Sequence, residues 1–139
     1  MNASCSLCAE LSSPKDDPTF IHEFEHSVAF LNYDQDAYIG RAMLVMKEHY
    51  EHWHLVPLTI QYEILKVGND LTAAIIAAFG GFRVNHMSLG NQVPHVHWHV
   101  IPRYPNDLNA GNAPIHSPTE TRLPDEKYRE IAAQIRAAL

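Results

Sequence analysis

The stretch from Pro94 to Arg103 has a histidine at every second position, with an apolar residue between neighbouring histidines. Successive side chains of a β-strand point to opposite faces, so a strand here would carry His95, His97 and His99 on one face. The apolar residues would pack into a core from the other face: Val96, Trp98 and Val100. An imidazole has a reference pKa of about 6.5, so each histidine can accept or donate a proton near neutral pH. This stretch therefore predicts a strand with one chemically active face.

Two kinds of chemistry use clustered histidines of this sort. In metal sites neutral imidazoles converge on an ion such as Zn²⁺. In nucleophilic catalysis one imidazole attacks while its neighbours orient and protonate. Alternate residues of a strand lie roughly 7 Å apart, so the three side chains can face one substrate. Histidines without a function are the remaining alternative, and the strict alternation disfavours it.

The composition is typical of a globular chain, which we expect to form a single domain over residues 1–139. Hydrophobic residues make up 46% of the chain and charged residues 19%, which argues against disorder. The formal net charge of -6, without a basic stripe, argues against nucleic acid as a partner. No apolar run approaches the roughly 20 residues that cross a bilayer, so no membrane partner is expected. The N-terminal residues lack the pattern of a secretory signal, and we expect a cytoplasmic location.

Hydrophobic periodicity and turn residues predict an antiparallel sheet with helices on one face. Apolar runs predict five strands, at residues 20–25, 27–31, 41–46, 82–86 and from 93 through the histidines. Helical spacing predicts a long helix from Thr59, as its N-cap, to Phe79, and a second helix over 124–139. Residues 104–118, rich in Pro, Asn and Gly, predict a flexible loop. The order β-β-β-α-β-β-α indicates an α+β fold, because a parallel doubly wound sheet would alternate strands with helices.

The run His95-Val-His97-Trp-His99-Val-Ile matches the pattern His-φ-His-φ-His-φ-φ, in which φ is apolar. It resembles the signature of the histidine triad (HIT) superfamily of nucleotidyl hydrolases and transferases. The following Pro102-Arg103 is similar to the branch with fragile-histidine-triad and diadenosine-polyphosphate hydrolases, including bacterial diadenosine tetraphosphate hydrolase-like proteins. Strand order and the long helix extend the resemblance over most of the chain. It implies a HIT-like antiparallel sheet of about five strands with a long central helix and a C-terminal helix.

The resemblance also implies a mechanism. The family's middle histidine attacks the α-phosphorus of a nucleotide and forms a covalent nucleotidyl-histidine, which implies His97 as nucleophile. His99 would contact the phosphate and help to protonate the leaving group, and His95 would orient its neighbours. A third histidine stands where the transferring branches carry Gln, which favours water as the acceptor. The implied activity is hydrolysis of phosphoric anhydride or phosphoramidate bonds in dinucleoside polyphosphates or related nucleotidyl conjugates.

Three alternatives to this activity remain open. The chain could be a nucleotide-binding regulatory module with little turnover, although binding alone does not require a central nucleophile. It could be a nucleotidyl transferase of the same superfamily. It could also be a zinc hydrolase whose metal ligands are the three histidines of the motif.

Nucleotide-binding residues follow from the same resemblance. Family members hold the ribose with an Asp or Asn just after the second core strand, which implies Asn32. An amide at the end of the strand before the triad often contacts phosphate or a catalytic histidine, which implies Asn85. The loop Gly90-Asn91-Gln92 would offer N–H groups and amides to the phosphate. For each single Asn, a role in a turn or cap is the alternative. The chain has Gly40-Arg41 where many members have Gly-His.

The N-terminal segment 1–19 contains Cys5-x-x-Cys8, which is half of a four-coordinate zinc site. In some bacterial relatives and in the related uridylyltransferases a cysteine pair, a histidine after the third strand and the first triad histidine enclose one metal ion. The resemblance therefore implies four ligands of a structural zinc ion: Cys5, Cys8, His49 and His95. His52 and His54 are alternatives to His49, and two thiols without metal are the alternative to the whole site.

Other partners and cofactors are expected as follows. The substrate is a nucleotide, which could be handled as a magnesium complex, and no organic cofactor is expected. Family members usually form a homodimer across a helix and a strand, so the resemblance implies a homodimer. The remaining histidines show no pattern and are interpreted as surface or loop residues: His22, His26, His86 and His116.

Overall fold

The computed structural model describes residues 4–115 and 121–139, and these contain a five-stranded antiparallel sheet. In chain order the strands are β1 (Phe20–Glu23), β2 (Ser27–Leu31), β3 (Ala42–Met46), β4 (Arg83–Met87) and β5 (His97–Arg103). The helices are α1 (Ser6–Glu10), α2 (Leu58–Phe79) and α3 (Asp125–Ala138), with short 3₁₀ turns at Pro14–Asp16 and Trp53–Leu55. The spatial order is β1-β2-β3-β5-β4, so α2 leads from β3 to the edge strand β4, and β5 returns between them.

The α+β class and the antiparallel sheet predicted from the sequence are confirmed. The limits of the first four strands differ by at most two residues from those predicted, whereas β5 begins at His97 and not at residue 93. For example, β1 ends at Glu23, because the N–H of Phe24 donates to the carbonyl of Ser27 at 2.8 Å and turns the chain into β2. The short helix α1 was not predicted, since five residues are too few to show a helical period.

The predicted N-cap of the long helix, Thr59, is wrong. Helix α2 begins at Leu58, and the N-cap position is taken by Pro57 in an extended conformation with ψ of 139°. The proline ring fixes φ, and its carbonyl accepts the first helical hydrogen bond from the N–H of Gln61 at 3.0 Å. The predicted end is confirmed, because Gly80 adopts a left-handed φ of 72° as the C-cap.

One face of the sheet packs against α2 and α3. Buried apolar side chains of both helices meet those of three central strands, and they form one core: Leu31, Leu44, Val67, Leu71, Ile75, Val100, Tyr128, Ile131 and Ile135. The helical spacing read from the sequence is thereby confirmed for the buried sides of α2 and α3. Within the two described ranges, no helix is long and apolar enough to cross a membrane.

The opposite face of the sheet is covered by the N-terminal segment. Leu7, with the two cysteines that flank it, packs against Val28, Phe30 and Val45 of the two strands β2 and β3. Val45 pairs with His97 across the β3–β5 ladder, and side chains of directly paired residues share a face. The N-terminal segment therefore lies beside the histidines.

The described part of the predicted flexible loop, residues 104–115, is held by hydrogen bonds to the connection between β2 and β3. The Tyr38 hydroxyl donates to the carbonyl of Leu108 at 2.9 Å and accepts from the N–H of Ile115 at 3.2 Å. Tyr104 donates through its hydroxyl to the carbonyl of Ile39 at 2.8 Å. Residues 116–118 of this loop, and His116 with them, lie outside the described residues.

Candidate functional site

Two of the three histidines project from one face of β5. His97 and His99 are 9% and 8% exposed, and their ring centroids lie 5.1 Å apart with nearly perpendicular planes. They occupy the central region of the sheet, because β5 pairs with β3 on one side and with β4 on the other. A strand position with neighbours on both sides restricts side-chain motion and fixes the two imidazoles relative to each other.

The prediction that His95 belongs to the same strand row is wrong. Strand β5 begins at His97, and before it the chain turns through a hydrogen bond from the N–H of His95 to the carbonyl of Val93 at 2.8 Å. Val96 instead bonds to the segment after β3, donating its N–H to the carbonyl of Tyr50 at 2.6 Å. His95 is completely buried, and its ring points toward the N-terminal cysteines.

His95 nevertheless acts on His97 through its backbone. The Nδ1 atom of His97 lies 2.7 Å from the carbonyl oxygen of His95. A carbonyl can only accept, so Nδ1 carries the proton and the lone pair of a neutral ring resides on Nε2. The hydrogen bond therefore selects the tautomer of the neutral His97 ring in which the lone pair is on Nε2.

The four residues predicted as metal ligands come together beside this pair, where the N-terminal segment covers the sheet. Their ligand atoms all lie within 4.8 Å of one another: Cys5 Sγ, Cys8 Sγ, His49 Nδ1 and His95 Nδ1. The two sulfurs lie 3.4 and 3.5 Å from His95 Nδ1, and His49 Nδ1 lies 3.3 Å from it. One imidazole lone pair cannot accept three hydrogen bonds, so this convergence fits a shared metal ion better than a hydrogen-bonded network.

Distances and protonation in this cluster both fit zinc. With bonds of about 2.0–2.1 Å to nitrogen and 2.3 Å to sulfur, a tetrahedral zinc ion separates its ligand atoms by roughly 3.3–3.8 Å. The observed separations of 3.3 to 3.5 Å fall in that range. The other ring nitrogen of His95, Nε2, lies 2.7 Å from the carbonyl of Met46 and donates to it. Nδ1 of His95 is thus the unprotonated nitrogen that a metal requires.

Burial favours the neutral form of His95. Desolvation lowers the pKa of His95 most, and the nearby His49 and His97 lower it further, while the hydrogen bond to Met46 opposes the change. A neutral imidazole is the form that binds a metal ion. The electrostatic environment and the hydrogen bonds therefore agree on the same state of this ring.

Asn85 lies on the same face as the two strand histidines. It pairs with Ile101 in the β4–β5 ladder, two residues from His99 on that face of β5. Its Oδ1 accepts a hydrogen bond of 2.7 Å from Arg103 Nη1. Asn85 also lines a groove of about 560 Å³ between β4 and the 104–115 loop, together with Met87 and Arg103. The groove borders β4, where Met87 pairs with His99 of the neighbouring strand, and it has room for a ligand.

The other predicted nucleotide contacts lie farther along this side or in the preceding loop. Asn32 directly follows β2, and its Oδ1 is buried without a hydrogen-bond partner among the described residues. Asn91 is exposed in the loop before His95. Gln92 lines a cavity of about 190 Å³ that also includes Cys5 and His49, so it lies beside the cysteine cluster.

Sequence reasoning assigned no role to a polar group at the far end of this face. Arg41 forms a buried ion pair with Asp34, and Arg103 forms another with Asp107. Tyr38 lies between the arginines, whose guanidinium carbons are 5.9 and 5.8 Å from its ring centroid. The available signal was the spacing of four residues between Arg103 and Asp107 after an apolar strand, which is too common to identify a site.

His86, which was interpreted as a surface or loop residue, forms two side-chain hydrogen bonds. It is an exposed residue, but the Trp98 Nε1–H donates to its Nδ1 at 2.9 Å. Its Nε2 therefore carries the proton and donates to Thr72 Oγ1 at 3.1 Å, and that hydroxyl donates to the carbonyl of Gly68 at 2.8 Å. Partial burial lowers the pKa of His86. This chain of bonds fixes the Trp98 ring on the face of β5 opposite His97 and His99.

A five-stranded antiparallel sheet that holds two histidines on an inner strand can be compared with known families. The HIT domain family matches residues 13–106, and the chain belongs to this family. An uncharacterized HIT-like protein of Methanocaldococcus jannaschii is 33% identical over 92 residues, which cover 63% of this chain and 70% of that protein.

Solved structures of histidine triad proteins share the fold. A histidine triad protein of Sinorhizobium meliloti has a TM-score of 0.80 at 25% identity and covers 98% of both chains. A zinc-bound histidine triad family protein of Mycobacterium smegmatis has a TM-score of 0.73 at 21% identity, covering 97% of this chain and 92% of that one. Diadenosine triphosphate hydrolase of Plasmodium falciparum has a TM-score of 0.70 at 20% identity, covering 88% and 76%. These likenesses establish the antiparallel sheet with its helices as the HIT fold.

Proposed function

We propose that the chain is a nucleotide phosphohydrolase that cleaves at an α-phosphate through a covalent nucleotidyl-His97 intermediate. The observation that carries the proposal is the hydrogen bond from His97 Nδ1–H to the carbonyl of His95, which leaves the lone pair of the neutral ring on Nε2. A nucleophilic imidazole requires this tautomer, and a ring that only fills space does not.

The proposed reaction has two steps, formation of the nucleotidyl-histidine and its hydrolysis. The lone pair of His97 Nε2 bonds to the α-phosphorus while the bond to the bridging oxygen breaks, and its electron pair leaves on that oxygen. Protonated His99, whose ring is 5.1 Å from that of His97, gives its proton to the leaving oxygen. Water then attacks the phosphorus, the P–N bond breaks with its pair returning to Nε2, and His99 accepts the water proton. The His95 carbonyl stabilises the cationic nucleotidyl-imidazole between these steps.

Substrate contacts are proposed from position. Asn85, on the histidine face, would donate to phosphate oxygens, and Asn32 would accept from a ribose hydroxyl. Asn91 and Gln92 would contribute from the preceding loop. Dinucleoside polyphosphates, with Mg²⁺ on the polyphosphate chain, are the proposed substrates, and the similarity to a diadenosine triphosphate hydrolase supports this class.

We also propose a structural zinc ion held by Cys5, Cys8, His49 and His95. When bound, the metal would join the N-terminal segment to the turn before β5 and so hold the His95 carbonyl under His97. The zinc-bound family protein supports this assignment. A zinc hydrolase that uses all three motif histidines is disfavoured, because the His95 ring lies among the cysteines and not beside the substrate.

A homodimer is proposed through α2 and the edge strand β4. Large apolar side chains lie exposed on this side of the molecule: Leu58, Tyr62, Leu65, Ile76 and Phe82. Trp53, Leu58, Tyr62 and Trp98 line a shallow cavity of about 400 Å³ on the same side. Apolar surface of this extent beside an unpaired strand edge suits pairing with a second copy. A cytoplasmic location stays a prediction.

The test is substitution of the proposed nucleophile. His97→Ala should reduce turnover of diadenosine tetraphosphate by at least about 10⁴-fold, because a covalent route loses its acceptor atom. Affinity for AMP should remain measurable by calorimetry. Mass spectrometry of acid-quenched wild-type protein should detect one added nucleotidyl group, which is absent from the variant.

His22→Ala is the matched control, since His22 is exposed on β1, away from β5. It should retain wild-type turnover. Near-wild-type turnover by His97→Ala would remove His97 from the mechanism. Nucleotide binding by the wild type without product release would favour the regulatory module instead.

A further inference from the structure

We infer that Arg103 is a positioning residue that holds the side-chain amide of Asn85 in the one orientation useful for an anionic substrate. Arg103 ends β5, next to a site proposed to bind phosphate, where an arginine is normally interpreted as a phosphate ligand. Its hydrogen bonds exclude that role and assign it another. The inference deepens the proposed function and rests on it.

Every N–H of the Arg103 guanidinium already has an acceptor. Nε donates to Asp107 Oδ2 at 2.7 Å, and Nη2 donates to Asp107 Oδ1 at 2.9 Å and to the carbonyl of Asn109 at 3.2 Å. Nη1 donates to the carbonyl of Asn112 and to Asn85 Oδ1, both at 2.7 Å. These five bonds use the five donors of the group, and its side chain is only 7% exposed. A phosphate could bind Arg103 only by displacing one of them.

The bond to Asn85 determines which way that amide faces. Arginine is a donor only, so the atom of Asn85 that meets it must be the carbonyl oxygen Oδ1. The Nδ2 group is consequently turned away, and within the described residues it has no protein partner. Asn85 lines the groove of about 560 Å³, so Nδ2 supplies two N–H donors to a ligand there. Donors of this kind suit phosphate oxygens.

The same contacts connect this orientation to the 104–115 loop. Asp107 binds Arg103 through both carboxylate oxygens and also accepts from the N–H of Tyr104 at 2.9 Å. The loop carbonyls of Asn109 and Asn112 complete the set. Without this support the Asn85 amide could rotate by half a turn and present its oxygen to the phosphate. A preorganised donor avoids that reorganisation during reaction.

A kinetic double-mutant cycle tests the inference. Asn85→Ala should lower kcat/KM for diadenosine tetraphosphate by about 100-fold, as loss of a preorganised donor does. Arg103→Lys keeps a cation for Asp107 but cannot span both Asp107 and Asn85, and it should lower kcat/KM by about tenfold or more. The combined variant should be no worse than Asn85→Ala alone, within about twofold. Losses that multiply would overturn the inference, because Arg103 would then act independently of Asn85.

Tyr38→Phe separates positioning from support of the loop. It removes the hydroxyl that bonds the backbone at Leu108 and Ile115 but leaves the contacts of Asn85 intact. Turnover close to wild type is expected. An effect of this variant as large as that of Arg103→Lys would show that loop order alone matters, and would overturn the inference. If Arg103→Lys does not fold, Arg103→Met with Asp107→Asn takes its place, because it leaves no lone buried charge.

AMP affinity separates this inference from the proposed function. It is measured by calorimetry for the wild type, Asn85→Ala, Arg103→Lys and the combined variant. A wild type that binds AMP without turning over the dinucleotide would refute hydrolysis, and coupling between Arg103 and Asn85 would still be read from affinity. Turnover with no coupling in either measurement would refute the positioning role alone. A wild type that neither binds AMP nor releases product would refute both.

Discussion

The two faces of the sheet are held by different kinds of interaction. The helical face packs apolar side chains of α2 and α3 against the strands, and its buried members include Leu71, Ile75 and Tyr128. The histidine face carries a cysteine–histidine cluster at one end and two buried Arg–Asp pairs at the other. Hydrophobic contacts are numerous and individually replaceable, whereas each polar contact depends on one partner at one distance.

This difference separates the residues that stabilise the fold from those that are proposed to act on the substrate. Removal of a methyl group from the helical face costs free energy in proportion to the volume lost, and neighbouring side chains relax into part of the space. Removal of one polar partner on the histidine face leaves the other buried and unpaired, and it also moves groups that are proposed to touch substrate. We therefore expect the two faces to respond differently to substitution, and three measurements test this.

A large loss of stability is expected from removal of the proposed zinc ion. An ion bound only by the folded protein contributes about 4 kcal/mol to the free energy of unfolding at a concentration a thousandfold above its Kd. Exhaustive dialysis against a strong chelator should lower the denaturation midpoint of the wild type by a corresponding amount. The Cys8→Ser variant should be destabilised beforehand and respond little to the chelator. An equal midpoint for the wild type before and after treatment would argue against the metal.

The helical face should lose stability without losing its chemistry. Leu71 is completely buried in the core between α2 and the sheet, so Leu71→Ala should cost about 2–5 kcal/mol of unfolding free energy. The folded fraction should keep the dinucleotide turnover proposed for the wild type, since Leu71 belongs to the opposite face. Chemical denaturation measures the unfolding free energy, and product release per folded molecule measures turnover.

The matched control for this substitution is Leu55→Ala. Leu55 is 53% exposed, and its truncation should change the unfolding free energy by less than about 0.5 kcal/mol. Should Leu71→Ala instead reduce turnover per folded molecule by more than tenfold, the separation of stability and chemistry between the faces would be incorrect.

The sequence alone predicted the buried sides of the two long helices. For the histidine face, a resemblance pointed to the four residues of the cysteine–histidine cluster. Periodicity identified the buried sides of α2 and α3, because a residue's neighbours three and four positions away share its face. The four cluster residues were identified from a resemblance, and the structure brings their ligand atoms together. Periodicity misplaced His95, however, since alternation in sequence continues past the point where the strand ends. The break is shown by the hydrogen bonds from His95 to Val93 and from Val96 to Tyr50.

The arginine contacts could not have been predicted in the same way. Arg103 joins Asn85 on another strand and two carbonyls in an irregular loop, and none of these partners has a fixed sequence spacing from it. The choice between phosphate ligand and positioning residue depends on a count of its donors and acceptors. That count requires coordinates. Local patterns specify which face a residue occupies, and tertiary contacts decide what its polar atoms can still bind.

The smallest expected effect is a change in the pH dependence of the unfolding free energy. It arises from His86, at the edge of the helical face. Partial burial lowers the pKa of His86, so the folded protein binds fewer protons than the unfolded chain once the pH falls below the ordinary histidine value of about 6.5. The stability from neutral His86, present above that pH, should be lost as the pH falls through the lower folded pKa. His86→Gln cannot titrate and can still accept from Trp98, so its unfolding free energy should fall less over this range. His95 is present in both proteins, so its contribution cancels in the difference. Parallel pH profiles for the two proteins would show that His86 keeps its ordinary pKa in the fold.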